Sequence, residues 1–162
     1  MNAERVIEVF QHRGVRFLLI GGVNYLLRHR PVLTYDVDLW IEDSPENRAL
    51  CEQALADLGA EWGRDDADWA PVKQRMAGWL DGQLVFCLAS AAGAVDVFRS
   101  VRGLGCWAEA FARSVEVRTA SGIACRGLCD EDMLACQMAL DESEQKLDRI
   151  RDLRRALGRE SP

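Results

Sequence analysis

The sequence predicts an α+β or α/β chain built on one main sheet with helices over one face. Three observations carry this. Strand-like apolar runs at 15–20, 34–41, 83–89 and 93–101 interleave with segments of helical period. The stretch 115–127 reads as a β-hairpin turning at Ala120, Ser121 and Gly122. The end, 130–158, is helical throughout, with a break expected near Asp141 to Ser143.

Each element has its local reason. Asn2 caps a first helix whose apolar positions are Val6, Ile7, Val9 and Phe10, and Gly14 ends it. "VRFLLI" is a buried strand, Gly21 and Gly22 turn the chain, and a short helix follows until Pro31 stops it. In "TYDVDLWI" the side chains alternate, so Val37, Leu39 and Ile41 point one way and Asp36, Asp38 and Trp40 the other. Ser44 and Pro45 are an N-cap and a first-turn proline for a helix through Leu50, Ala54, Leu55 and Leu58. Residues 60–82 are the least regular part and hold Trp62, Trp69 and Trp79, read as core or interface aromatics. Neither a repeat nor a long linker divides the 162 residues, which read as one domain: a core part at 1–105, then a hairpin and helical part at 106–162.

Composition excludes several classes. No apolar run approaches the ~20 residues of a membrane span, and the first ten residues lack a secretory pattern, so a soluble cytoplasmic protein is expected. A net charge of −6 argues against a broad DNA-binding surface. Only Lys73 and Lys146 are lysines, so phosphate contacts would fall mainly to arginine. The six cysteines sit mostly in apolar segments and read as reduced core thiols; Cys125 and Cys129 lack zinc-site spacing. The mixed charges of the C-terminal run read as a solvated helix face.

The chemistry concentrates at Asp36 and Asp38. Residues two apart on a strand share a face, with Cα atoms roughly 7 Å apart. Two such carboxylates in an apolar strand are costly unless a cation offsets them, and hard oxygen donors suit Mg²⁺ or Mn²⁺. Asp96, a single acid in the apolar strand "AVDVF", is the candidate third ligand. Three carboxylates from neighbouring strands can hold two metal ions ~4 Å apart for in-line phosphoryl transfer. Gly21 and Gly22 supply the other half: a helix start with free backbone N–H groups, where phosphate can approach closely.

An apolar strand, a glycine pair, a helix and then Asp-x-Asp, with a third acid downstream, resembles the signature of the DNA polymerase β-like nucleotidyltransferase superfamily. Gly21, Gly22, Asp36, Asp38 and Asp96 match it in order. Within that superfamily the segment 30–60 is most similar to small bacterial AbiEii/AbiGii toxin-type proteins, whose Arg and Thr before the acids correspond to Arg30 and Thr34. The resemblance implies an α+β nucleotidyltransferase fold, with a mixed β-sheet covered by helices and C-terminal helices. It implies two Mg²⁺ or Mn²⁺ ions on Asp36, Asp38 and Asp96, and an NTP held by Gly21, Gly22, Arg30 and Thr34. Implied partners are a tRNA end, a protein or a small molecule as acceptor, and a cognate antitoxin. A drug acceptor ranks last, because drug-modifying relatives usually carry a further helical domain. A lysine common in the relatives' first C-terminal helix is Gln137 here, and their later Lys-Asp pair is matched only loosely by Lys146 and Asp148. This motivates the alternative of a protein with the same fold that binds nucleotide or a partner without turnover.

Overall fold

A computed structural model describes residues 1–159; the last three residues of the expected domain lie outside them. The chain order is α1 (Ala3–His12), β1 (Phe17–Leu19), α2 (Gly21–Arg28), β2 (Asp36–Ile41), α3 (Pro45–Asp57), β3 (Glu61–Trp62), β4 (Ala70–Pro71), β5 (Val85–Leu88), β6 (Ala94–Phe98), α4 (Trp107–Arg113), β7 (Val115–Arg118), β8 (Ala124–Gly127), α5 (Asp130–Met138) and α6 (Leu147–Ala156). Two 3₁₀ turns, at 72–74 and 79–82, lie between β4 and β5. Asn2 accepts from the Arg5 N–H at 3.0 Å and Ser44 from the Asn47 N–H at 3.3 Å, so both predicted caps hold their helix starts. The C-terminal helix breaks between Met138 and Leu147, somewhat wider than expected.

Six strands form one mixed sheet in the order β5-β6-β2-β1-β8-β7. β2 runs parallel to β6 and antiparallel to β1, while β8 is parallel to β1. β3 and β4 make a separate short ribbon within the irregular segment. There Arg75 donates to the Trp62 and Asp68 carbonyls and lies over the Trp62 ring, which also stacks on Trp79 and meets Phe86.

The expectation of a sheet covered on one face is corrected. On one side, Val37, Leu39 and Ile41 of β2 pack with Val6, Ile7 and Phe10 of α1 and with Ala54 and Leu55 of α3. On the other, Leu18 and Trp40 pack with Ala110, Met133, Leu134, Ile150 and Leu153 of α4, α5 and α6. The cause is legible in β1: "FLLI" has no polar alternation, and a strand apolar on both sides must be covered on both. The cysteine reading is also corrected in part. Cys51, Cys125 and Cys129 are buried, but Cys87 and Cys106 are exposed, and all six are free thiols.

Candidate active site

β2 and β6 pair in parallel with Asp38 opposite Asp96, and Asp36 lies two residues earlier on the same face. Each of the three acids offers a carboxylate oxygen, and these oxygens all lie within 4.8 Å of one another. This is the face covered by α4–α6, so the acids stand where a buried sheet face opens into the cleft under the C-terminal helices. Burial, then the charges of Asp36 and Asp96, pushes the Asp38 carboxyl up to about 7; the Gly22 N–H and the Arg149 guanidinium act against this. Burial likewise raises the Asp96 carboxyl, opposed by a hydrogen bond with the Cys87 thiol. Cys87 sits opposite Asp96 on β5; although the residue is exposed, partial desolvation of its thiol, then the charge of the acids, pushes it up to about 11. Three hard donors whose mutual repulsion is only partly relieved by the chain fit a divalent cation.

The glycine pair touches the acids directly. Gly21 has φ +64°, and a Cβ there would lie 1.7 Å from Asp38 Oδ2. A Cβ on Gly22 would lie 2.4 Å from Thr34 Oγ1. Thr34 in turn donates to Asp36 Oδ1 at 3.2 Å. The start of α2, the connector and the two acids therefore interlock through positions without side chains.

Arg30 is turned toward α6, where its Nε donates to Asp152 at 2.6 Å. Asp152 also accepts from the Tyr25 hydroxyl at 2.5 Å. His29 stacks on Tyr25 and pairs with Asp130, which also pairs with Arg28. This clamp fixes α2 against α5 and α6. Gln137 is buried, and its Oε1 accepts from the Lys146 N–H at 2.9 Å, tying the two C-terminal helices together.

The C-terminal run is not only a solvated face. Arg149 of α6 lies over the Tyr25 ring at 4.9 Å and lines a cavity of about 210 Å³ together with Gly21 and Asp38. In the sequence, Ile150 and Leu153 mark the buried stripe of α6 and place Arg149 at its edge. Which element it meets is set by a contact across more than 120 residues, which no local pattern carries.

Two solved structures have a similar fold. One is the crystal structure of ANT(2'')-Ia in complex with adenylyl-2''-tobramycin, at TM-score 0.59 and 15% identity over 96% of this chain and 87% of that one. The other is the solution structure of the antibiotic-resistance factor ANT(2'')-Ia, at TM-score 0.59 and 15% identity over 96% of this chain and 82% of that one. No protein-family model and no curated protein matches the sequence. The chain has the nucleotidyltransferase fold, a mixed sheet between helices, with three acids gathered beside a glycine-led helix.

Proposed function

We propose that the protein is a metal-dependent nucleotidyltransferase that moves a nucleoside monophosphate from an NTP to an acceptor hydroxyl. The observation that carries this is the convergence of Asp36, Asp38 and Asp96 within 4.8 Å, against the Gly21–Gly22 start of α2. In the reaction the acceptor oxygen bonds to the α-phosphorus, the α–β anhydride bond breaks, and its electron pair leaves on pyrophosphate. Asp36 and Asp38 would hold two Mg²⁺ or Mn²⁺ ions; Asp96 would share one of them and take the acceptor's proton. When bound, the ions neutralise charge on the transferring phosphoryl group. Gly21 and Gly22 let the phosphate chain approach the backbone, and Thr34 fixes Asp36; Arg30, paired with Asp152, would reach phosphate only by leaving that partner.

The acceptor is an RNA end, a protein or a small molecule. The sequence resemblance to AbiEii-type proteins supports all three and a toxin role with a cognate antitoxin. The small-molecule reading gains from the fold neighbours: the chain spans 87% of ANT(2'')-Ia, whose bound adduct is an adenylylated tobramycin. The test is transfer of label from α-labelled NTP with Mg²⁺ to RNA, protein or aminoglycoside. Asp36→Ala with Asp38→Ala should abolish transfer and pyrophosphate release, and equal transfer by the double variant sinks the reading. NTP binding without pyrophosphate release over hours would assign the alternative, a nucleotide-binding protein of the same fold.

A further inference from the structure

The cavity beside the acids has a composition that the triad does not explain. Its walls are apolar: Ile20, Phe98, Val101, Leu128, Met133 and Leu140. Two arginines, Arg102 and Arg149, line it as well, and Asp38 and Gly21 stand at the same cavity. Neither arginine makes a hydrogen bond or a salt bridge among the described residues, whereas Arg13, Arg30, Arg48, Arg99 and Arg113 are all paired with carboxylates. Arg102 is exposed, so its freedom needs no explanation. Arg149 is only part-exposed, and a guanidinium withdrawn from water with no hydrogen-bonded acceptor is costly, even with the Asp38 charge nearby.

What holds Arg149 there is Tyr25. The ring face supports the guanidinium at 4.9 Å, and the hydroxyl of the same residue binds Asp152, one turn along α6. Arg30 closes on Asp152 from the connector that leads to Thr34 and Asp36. Asp152, the natural intrahelical partner for Arg149 at i+3, is thereby occupied by Tyr25 and Arg30. The clamp leaves the Arg149 fork unpaired beside Asp38.

We propose that Arg149 binds the phosphate chain of the nucleoside triphosphate while the adjoining apolar cavity takes the base. The inference rests on the nucleotidyltransferase reading and adds the residue and the orientation. Size supports the division. At about 210 Å³ the cavity is smaller than the ~300–1,000 Å³ of typical ligand pockets, so it suits one ring system and leaves ribose and phosphates at its mouth. Charge supports it too: an anion beside Asp38 needs a cation from the chain as well as metal, and a guanidinium fork matches phosphate oxygens in pairs.

The test is calorimetry with a non-hydrolysable α,β-methylene NTP and Mg²⁺, run beside the parent nucleoside. Arg149→Met keeps the stem over Tyr25 and removes the fork; it should weaken the triphosphate about tenfold to a hundredfold and leave the nucleoside unchanged. Leu140→Trp, which fills the cavity, should weaken both. In turnover, Arg149→Met should raise KM for NTP far more than it lowers kcat. Should Arg149→Met not fold, Arg149→Lys decides, with a several-fold loss of triphosphate affinity expected because an ammonium cannot bridge two oxygens. Wild-type affinity for the triphosphate in either folded variant overturns the proposal, as does equal loss of nucleoside and triphosphate in Arg149→Met. If wild type transfers label while the variant keeps its affinity, only this inference falls. If wild type neither transfers label nor binds the triphosphate, the nucleotidyltransferase reading falls with it.

Discussion

Gly21 and Asp38 are packed so closely that no side chain fits between them: a Cβ on Gly21 would sit 1.7 Å from Asp38 Oδ2. The backbone there is also left-handed, at φ +64°. Gly21→Ala should therefore cost about 1–2 kcal/mol from the backbone alone. The greater effect is on Asp38, which must swing away from Asp36 and Asp96. We expect nucleotidyl transfer to fall at least as far as in Asp38→Ala, with a melt that is lower but still cooperative. Thermal unfolding and the label-transfer assay check the two parts separately.

Gly22 and Thr34 form a second such pair, with 2.4 Å from the absent Cβ to Thr34 Oγ1. Here Gly22→Ser should destabilise by about 1–3 kcal/mol through overpacking. Thr34→Gly in the same chain should recover much of that loss, giving a coupling energy of about 0.5–3 kcal/mol in a double-mutant cycle. Additive losses would show that the connector moves aside instead.

The raised Asp38 carboxyl makes metal-free stability fall with pH. Its ordinary value lies near 3.8, and in the fold it stands at about 7. Between these values the folded chain keeps a proton that the unfolded chain has released. Raising the pH through this window therefore favours unfolding. The raised Asp96 carboxyl acts with the same sign. Carboxyls held below their ordinary range, such as Asp43 and Asp57, lose their contribution only in stronger acid. With a chelator present, the urea midpoint should drop from about pH 5 to about pH 7.5, and Asp38→Asn should flatten the drop. Mg²⁺ competes with the proton, so its affinity should rise over the same range.

Much of the fold was legible because its signals are local. The Asn2 and Ser44 caps, the alternation of β2 and the hairpin turn at 120–122 each depend on a few neighbouring residues. The alternation of β2 alone suggests a one-sided sheet; the second apolar face of β1 is what demands cover on both sides. The apolar run 83–89 suggests a core thiol at Cys87, but alternation with Phe86 and Leu88 puts it on the acid face of β5.

Of the site, Asp36, Asp38 and the glycine pair could be singled out by sequence, since a charged pair in an apolar strand after a glycine turn needs a chemical reason. Asp96 could be nominated, but only strand pairing sets it opposite Asp38. Arg149, Tyr25 and Asp152 were beyond sequence reading: they meet because α6 folds back onto α2, a contact between the two ends of the chain. The sequence by itself determined the elements, the acids and the glycines, because period, capping and charge in an apolar strand are short-range properties. Only the tertiary structure decided which basic group faces the acids and where the cleft opens, because packing of distant helices, not local pattern, sets those positions.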